Sequence, residues 1–285
     1  MVLMTSKWLL ILSFSITKYI TYNSHLTIHV FTEEDIISAF ALPESTLVGQ
    51  RIAKNLLVEH GANTAKDRKL IKSGVESIHC VAMLKPMATG ISAWHDEIGE
   101  YLEIAFVRML LRKGAKAQRI TNLLHRAIPY PVVLFTKISG SNELNLSFSH
   151  KRLSQVGENQ YILDGELLAV TVTALQSSFI KQYSVFALHK QNASDLRILY
   201  QRWMDHASAL QASHITGSYQ SVESMPQASV LRENVAQYHS KRSELEQLRS
   251  QIKKESQISK KVDINIRIQS LKKQIDALEL DLRQS

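Results

Sequence analysis

The sequence predicts an α+β fold: a small mixed or antiparallel sheet with flanking helices, then a helical C-terminal region carrying a coiled-coil-like helical pair. Three observations predict it. Short apolar or alternating runs come in the order strand, strand, helix, strand, strand, without the regular strand–helix alternation of a doubly wound parallel sheet. Helical periodicity takes over after residue 173. Finally, Leu231 to Ser285 contains no Gly, Pro or Trp and spaces Leu and Ile among Lys, Arg, Glu, Gln and Ser. A helix of that length cannot bury one face inside a compact domain, so it must pack on another helix.

The organisation expected along the chain is a 1–30 extension, a 31–173 core, a 174–217 helical region, a 218–230 linker and a 231–285 tail. Trp8 to Ile16 is an apolar run behind Lys7, too short to span a bilayer, which takes about 20 residues. No small-residue cleavage site follows it. Three readings stay open for residues 1–30: a mis-set start with Val30 as a GTG-encoded first residue, a signal or anchor, and a cytosolic extension.

From residue 32 the elements follow from local chemistry. Thr32 ahead of Glu33, Glu34 and Asp35 reads as a capped helix start, ending near Phe40 before Pro43. Pro43 to Thr46 is expected to open a second helix, with Leu47, Ile52, Leu56 and Leu57 on its apolar face and Gly61 at its end. Lys66 to Ile71 is a further turn of helix. Ser77 to Leu84 has the length and β-branching of a strand closed by Lys85-Pro86, and residues 86–99 read as loop. Tyr101 to Leu111 is a buried strand with Leu102, Ile104 and Phe106 on one face.

Ala115 to Ala127 is helical with Ile120, Leu123 and Leu124 aligned. Val132 to Lys137 and Leu144 to Ser149 form a hairpin around Ser139-Gly140-Ser141-Asn142. Tyr161 to Leu163 is a short strand, and Leu167 to Val172 is a strand or a buried helix. Ala174 to Leu188 and Ala193 to Ser213 are helices, the second started by Ser194 and Asp195.

Within the tail, Leu231, Tyr238, Leu245, Leu248 and Ile252 hold one heptad register; Ile264, Ile268, Leu271, Ile275, Leu278 and Leu282 hold another. Ile252 and Ile268 lie sixteen residues apart, where fourteen keep phase. Either one helix changes face near Lys253–Lys261 or the chain bends there and the halves pack antiparallel; the bend is favoured.

Composition narrows the function classes. The chain has 285 residues, 45% of them hydrophobic and 21% charged, as in a globular protein. A net charge of +8 suits a polyanion or an acidic partner, although it is spread along the chain. The single cysteine, Cys80, allows no internal disulfide and fits a reducing, cytoplasmic setting; its apolar surroundings make it a packed thiol.

No catalytic constellation emerges. No Walker loop, GxGxxG or GxSxG occurs, so no cofactor is expected. Acidic residues cluster at His95-Asp96-Glu97, Glu100, Glu103 and Asp164-Gly165-Glu166. A Mg²⁺-dependent nuclease wants a lysine two positions after its acid, but Ala105 follows Glu103 and Leu168 follows Glu166. His206 and His214 share a helix without the tight spacing of a zinc pair, so no metal site is expected. The residues expected to touch nucleic acid are Lys151 and Arg152, a basic rim or simply a polar strand end, and Lys253, Lys254, Lys260 and Lys261. Those four are a phosphate-contacting corner or a solvated turn that interrupts the seam.

The run Ala41-Leu42-Pro43-Glu44-Ser45-Thr46, the block Leu124-His125-Arg126-Ala127-Ile128-Pro129-Tyr130-Pro131 with its following strand, and Ser149-His150-Lys151-Arg152 together resemble the bacterial domain-of-unknown-function 4391 family, from about Phe31 onward. Genes of that family often lie beside a helicase and a DNA methyltransferase in restriction or phage-defence loci. The resemblance implies an accessory or interaction protein of such a complex, with a helicase or DNA methyltransferase as protein partner and DNA as a second candidate. It implies no catalytic residues. The alternative is a divergent metal-dependent nuclease using Glu103, Asp164 or Glu166. A membrane role is disfavoured, and the tail is a candidate for homo-oligomer assembly.

Overall fold

The computed structural model describes residues 32–154 and 161–284; the expectations for residues 1–31 lie outside them. Strands β1 (Leu47–Arg51), β2 (Val75–Leu84), β5 (Ile104–Leu111), β6 (Val132–Ile138), β7 (Leu144–Leu153) and β8 (Tyr161–Val172) form one sheet in the order β1-β2-β5-β6-β7-β8. β3 (Trp94–His95) and β4 (Glu100–Tyr101) pair separately. All neighbours in the large sheet run antiparallel except β5 and β6. Those two are parallel because helix α5 (Ala117–Ala127) makes the crossover between them. The sheet is therefore mixed.

Because strand side chains alternate, each central strand feeds both faces. On one face Ile78, Val107, Met109 and Leu134 pack with Leu57 of α2 (Lys54–Gly61), Ile71 of α3 (Ala65–Gly74), and Ile120, Leu123 and Leu124 of α5. α2 and α5 approach so closely that a Cβ on Gly61 would lie 2.6 Å from the Leu123 carbonyl oxygen, which explains the glycine. The other face is aromatic. Phe40, after α1 (Glu33–Ser38), stacks on Phe186 at 4.7 Å and meets Phe106 and Trp203 edge-on at 5.1 and 5.2 Å. Edge-to-face packing of this kind adds to the hydrophobic gain from burial. The Trp203 indole N–H donates to the Phe186 carbonyl at 3.0 Å, so its polar end is satisfied in the core.

Several elements differ from the sequence expectation. Leu47–Arg51 is an edge strand, not helix: only residues 44–46 form a 3-10 turn after Pro43, and pairing with β2 decides the rest. Residues 86–99 include a short helix, α4 (Pro86–Thr89), and β3. The expected strand from Tyr101 to Leu111 breaks after Tyr101, which points inward while Leu102 is exposed. β5 is buried on both faces, so alternation carries no information there. Tyr161–Leu163 and Leu167–Val172 belong to one strand, paired along β7.

After α6 (Ala174–Tyr183), helix α7 (Leu196–Thr216) starts at the Asp195 N-cap, which accepts from the Ile198 N–H at 2.9 Å. It ends at left-handed Gly217, φ +76. Through Tyr200, Trp203 and their neighbours it covers the aromatic face, so this helix closes the sheet layer. Helix α8 (Met225–Lys254) begins before the boundary read at residue 231. Pro226 lies in its first turn, where a missing N–H is harmless, and the Ser224 side chain caps it. α9 (Ile258–Gln284) returns antiparallel: Tyr238 donates to Glu279 at 3.1 Å and Lys241 to Gln274 at 2.7 Å. The bend forms at Glu255, whose carboxylate accepts the Ser256 and Gln257 N–H groups at 2.8 and 2.9 Å. No helix among the described residues is long and apolar enough to cross a membrane.

Candidate interaction arm and its anchor

The α8–α9 hairpin has two unlike halves. Near its base, α8 buries Ala228, Leu231 and Val235, and α8 and α9 both pack on α7. Farther out, Leu245 and Leu248 face Ile264, Ile268, Leu271 and Ile275, with Tyr238 and Ile252 at the margin. Among the described residues, none of the sheet domain joins that cluster. The distal part is a two-helix seam; from Tyr238 to the bend, α8 extends about 25 Å at about 1.5 Å per residue.

A polar relay anchors the base. His150 of β7 accepts from the Tyr101 hydroxyl through Nδ1 at 2.5 Å and donates through Nε2 to Gln201 Oε1 at 2.7 Å. Gln201 passes an N–H to Asp205 Oδ1 at 2.6 Å, and Arg232 of α8 donates to the same oxygen at 2.5 Å. Strands β4 and β7 and helices α7 and α8 are thereby tied together. Burial holds the His150 pKa below its ordinary value, consistent with the neutral ring this bonding pattern needs. Burial raises the Asp205 pKa, against the lowering effect of its bonds to Gln201 and Arg232, and its Oδ2 has no hydrogen-bond partner. Sequence reasoning assigns none of these residues a role. The available signal is an acid at position 205 within the apolar run Trp203, Met204, Ala207.

The nucleic-acid candidates separate cleanly. Lys151 is 4% exposed and donates to the His125 and Ile128 carbonyls at the end of α5, so it points into the protein. A cation suits the negative end of a helix, but burial lowers the Lys151 pKa to about 7. His125 is fully buried and bonds Ser147 at 3.0 Å; burial and then the Lys151 charge push its pKa down to about 3. The block around residues 124–131 and the Ser149–Arg152 run thus meet in space through Lys151. Arg152 lies at the strand end beside Asp164, 3.6 Å away. Lys253, Lys254 and Lys260 are exposed at the hairpin bend and Lys261 is half-buried there. The structure brings these four together at the bend and leaves Lys151 in the sheet domain.

The acidic candidates disperse. Glu103 pairs with Lys85 at 3.2 Å, while Asp164 and Glu166 are exposed on edge strand β8. Asp96 accepts the Ile98 and Gly99 N–H groups in a turn at 2.7 and 3.0 Å. Among the described residues no three His, Cys, Asp or Glu side chains converge to hold an ion. His206 bonds the Tyr219 hydroxyl at 3.0 Å, and His214 the Thr171 carbonyl at 2.7 Å. Cys80 is buried, which raises its pKa.

A mixed-sheet domain carrying an anchored helical hairpin defines an α+β protein with an exposed helical arm. The family model for a domain of unknown function (DUF4391) matches residues 40–275, and the chain belongs to that family. The matched range takes in the sheet, the anchor and nearly all of the hairpin. No curated protein and no solved structure matches the chain.

Proposed function

We propose that this protein is an accessory interaction protein of a DNA-acting complex, with the hairpin as its assembly arm. A helicase or DNA methyltransferase is the partner that the family resemblance implies, in a restriction or phage-defence setting. The observation that carries this reading is the distal hairpin: a seam held by its own two helices, ringed at its bend by Lys253, Lys254, Lys260 and Lys261. Lysines in such a place attract an acidic protein surface or phosphate without demanding a sequence. Three buried ionisable groups are in keeping with this reading, because they hold elements together: Lys151 on α5, His150 in the relay and Asp205 on Arg232.

Affinity purification of the tagged chain from its native host, followed by mass spectrometry, tests it. The expected result is stoichiometric recovery of a helicase or a DNA methyltransferase, reduced when the four lysines are changed to Glu. Recovery of the chain alone would sink the proposal. Cleavage of duplex DNA by the purified chain with Mg²⁺ or Mn²⁺, lost on changing Glu103, Asp164 or Glu166, would replace it with a nuclease.

A further inference from the structure

The net charge of +8 reads from the sequence as spread along the chain, yet the fold gathers it at one end of the sheet domain. Helix α3 turns Asp67, Ile71 and Gly74 inward and Lys66, Arg68, Lys69 and Lys72 outward, with no acid on the outer face. Residues 112–119, which lead from β5 into α5, add Arg112, Lys113, Lys116 and Arg119, again without an acid. Two contacts lay this second run along the helix. Arg112 donates to the Ser73 and Val75 carbonyls at 3.0 and 2.9 Å. Arg119 grips Asp67 through Nε and Nη2 at 2.9 and 2.8 Å. Arg51, at the end of β1, and Lys54, at the start of α2, border the same surface: burial, and then the charges of Arg112 and Arg51, lower the Lys54 pKa.

The acids brought to this end are Asp67, already held by Arg119, Glu76 of β2, near Lys54, and Glu143 on the β6–β7 turn. Ten of the chain's 34 Lys and Arg residues therefore stand here with three of its 26 Asp and Glu, a surplus of seven out of +8. Among the described residues, the side chains of Lys66, Arg68, Lys69, Lys72, Lys113 and Lys116 are exposed and make no hydrogen bond or ion pair. Six such cations on one surface repel one another, and a bound counter-charge relieves that cost.

We infer that this end of the sheet domain, formed by α3 and residues 112–119, is a binding face for the phosphate backbone of a nucleic-acid duplex. It stands apart from the arm and does not depend on the partner proposed for it. Three features select that ligand. Along α3 the cations extend about 9 Å, the rise of two to three phosphates on one strand, and residues 112–119 prolong them. Neither α3 nor residues 112–119 carries any of the exposed large apolar side chains, the anchors that a protein partner or a membrane takes hold of. No Phe, Tyr or Trp occurs from Arg51 to Gly74 or from Arg112 to Arg119, so unpaired bases have nothing to stack on. The contacts are with phosphate and blind to sequence.

The test follows fluorescence anisotropy of a short labelled DNA duplex with the full chain over a salt series; a matched RNA duplex shows which backbone is held more tightly. The expected slope of log Kd against log salt is about 5, from six contacts at about 0.9 each. Lys69→Gln/Lys72→Gln/Lys113→Gln should cut the slope by about 3 and weaken binding by at least about tenfold, alike for two unrelated sequences. Neutralising Lys253, Lys254, Lys260 and Lys261 at the bend to Gln should leave binding within about twofold, since salt screens charges beyond about 10 Å. The three substituted side chains are exposed, so the urea midpoint should hold.

The inference is overturned if the parent chain binds neither duplex, if the triple variant binds as well as the parent, or if the bend variant loses as much. Tighter binding to a single strand than to the duplex overturns it too. So does a step lost in the triple variant that proves to be adsorption to phosphatidylserine vesicles, or capture of a native-host protein that persists after nuclease treatment. The two proposals fail separately. Recovery of a helicase or methyltransferase by a chain that binds no duplex removes this face and keeps the accessory role. A chain recovered alone that still binds the duplex does the reverse.

Discussion

The sheet domain and the hairpin solve the burial problem in different ways. In the sheet domain two helical layers cover both faces of β5 and β6, and Phe40, Trp203 and Tyr200 are fully buried. In the distal hairpin one seam of Leu and Ile is all that holds two helices together, and the opposite face of α9 is open at Ile258, Val262 and Ile266. The first region turns polar groups inward; the second displays them. A residue in the core has many partners to lose, whereas one in the arm has few, so the arm stands at the low end of local stability.

That contrast can be broken at four places, in falling order of effect. Trp203→Ala removes a fully buried ring that touches Phe40 and Phe106 and leaves the Phe186 carbonyl unpaired. It should cost about 3–5 kcal/mol by urea denaturation. Acidification comes next. The folded pKa values of His125, about 3, and His206, about 4, lie below the unfolded value of 6.5, so the unfolded chain binds more protons between those limits. Stability is therefore full above pH 6.5 and falls as pH drops toward 4, by about 2 kcal/mol per histidine at about pH 4.5. A urea midpoint that does not move between neutral pH and that acidic value contradicts the buried, neutral rings.

Asp205→Ala strips Arg232 and Gln201 of their shared acceptor. The expected loss is about 2 kcal/mol, below the usual range for a broken buried pair because Arg232 is one-third exposed. Hydrogen exchange should show it first at the base of α8, with β5 and β6 still protected. Leu271→Ala in the seam should cost about 2 kcal/mol, the low end for such a truncation, since the arm can close around the gap. Its signature is faster exchange across residues 238–275 with the core transition unchanged. If the two regions melt together in every variant, the distinction between them is wrong.

What the sequence disclosed follows the same divide. The hairpin was legible because a long two-register heptad pattern with a basic interruption has few solutions, and Glu255–Gln257 is where the helix breaks. The β6–β7 hairpin and α5 were legible for a similar reason: alternation and the Ile120, Leu123, Leu124 face are local signals. Leu47–Arg51 was not, because an exposed edge strand is defined by its partner β2 rather than by its own pattern. Tyr101 misleads because strand continuity does not carry across Leu102.

The relay could not be read from spacing at all, since Tyr101, His150, Gln201 and Arg232 are brought together only by tertiary packing. Lys151 shows the opposite hazard. Beside Arg152 it looks like part of a basic rim, yet strand alternation turns one of the pair inward and leaves the other at the surface. The exposed Ile258, Val262 and Ile266 of α9 were not singled out from the sequence, because separating them from the seam requires knowing which face α8 covers.

Because α9 returns to the base, the arm is clamped at two points. Near the start of α8, Arg232 holds Asp205; at the end of α9, the Arg283 carbonyl accepts from Gln220 at 2.6 Å. A single helix fixed at one end pivots like a lever, but a loop fixed at both ends cannot swing without straining one clamp or the other. Load applied at the bend divides between α8 and α9 and reaches the sheet through α7. The relay from Arg232 to His150 and Tyr101 takes up part of that load, which makes the arm a strut.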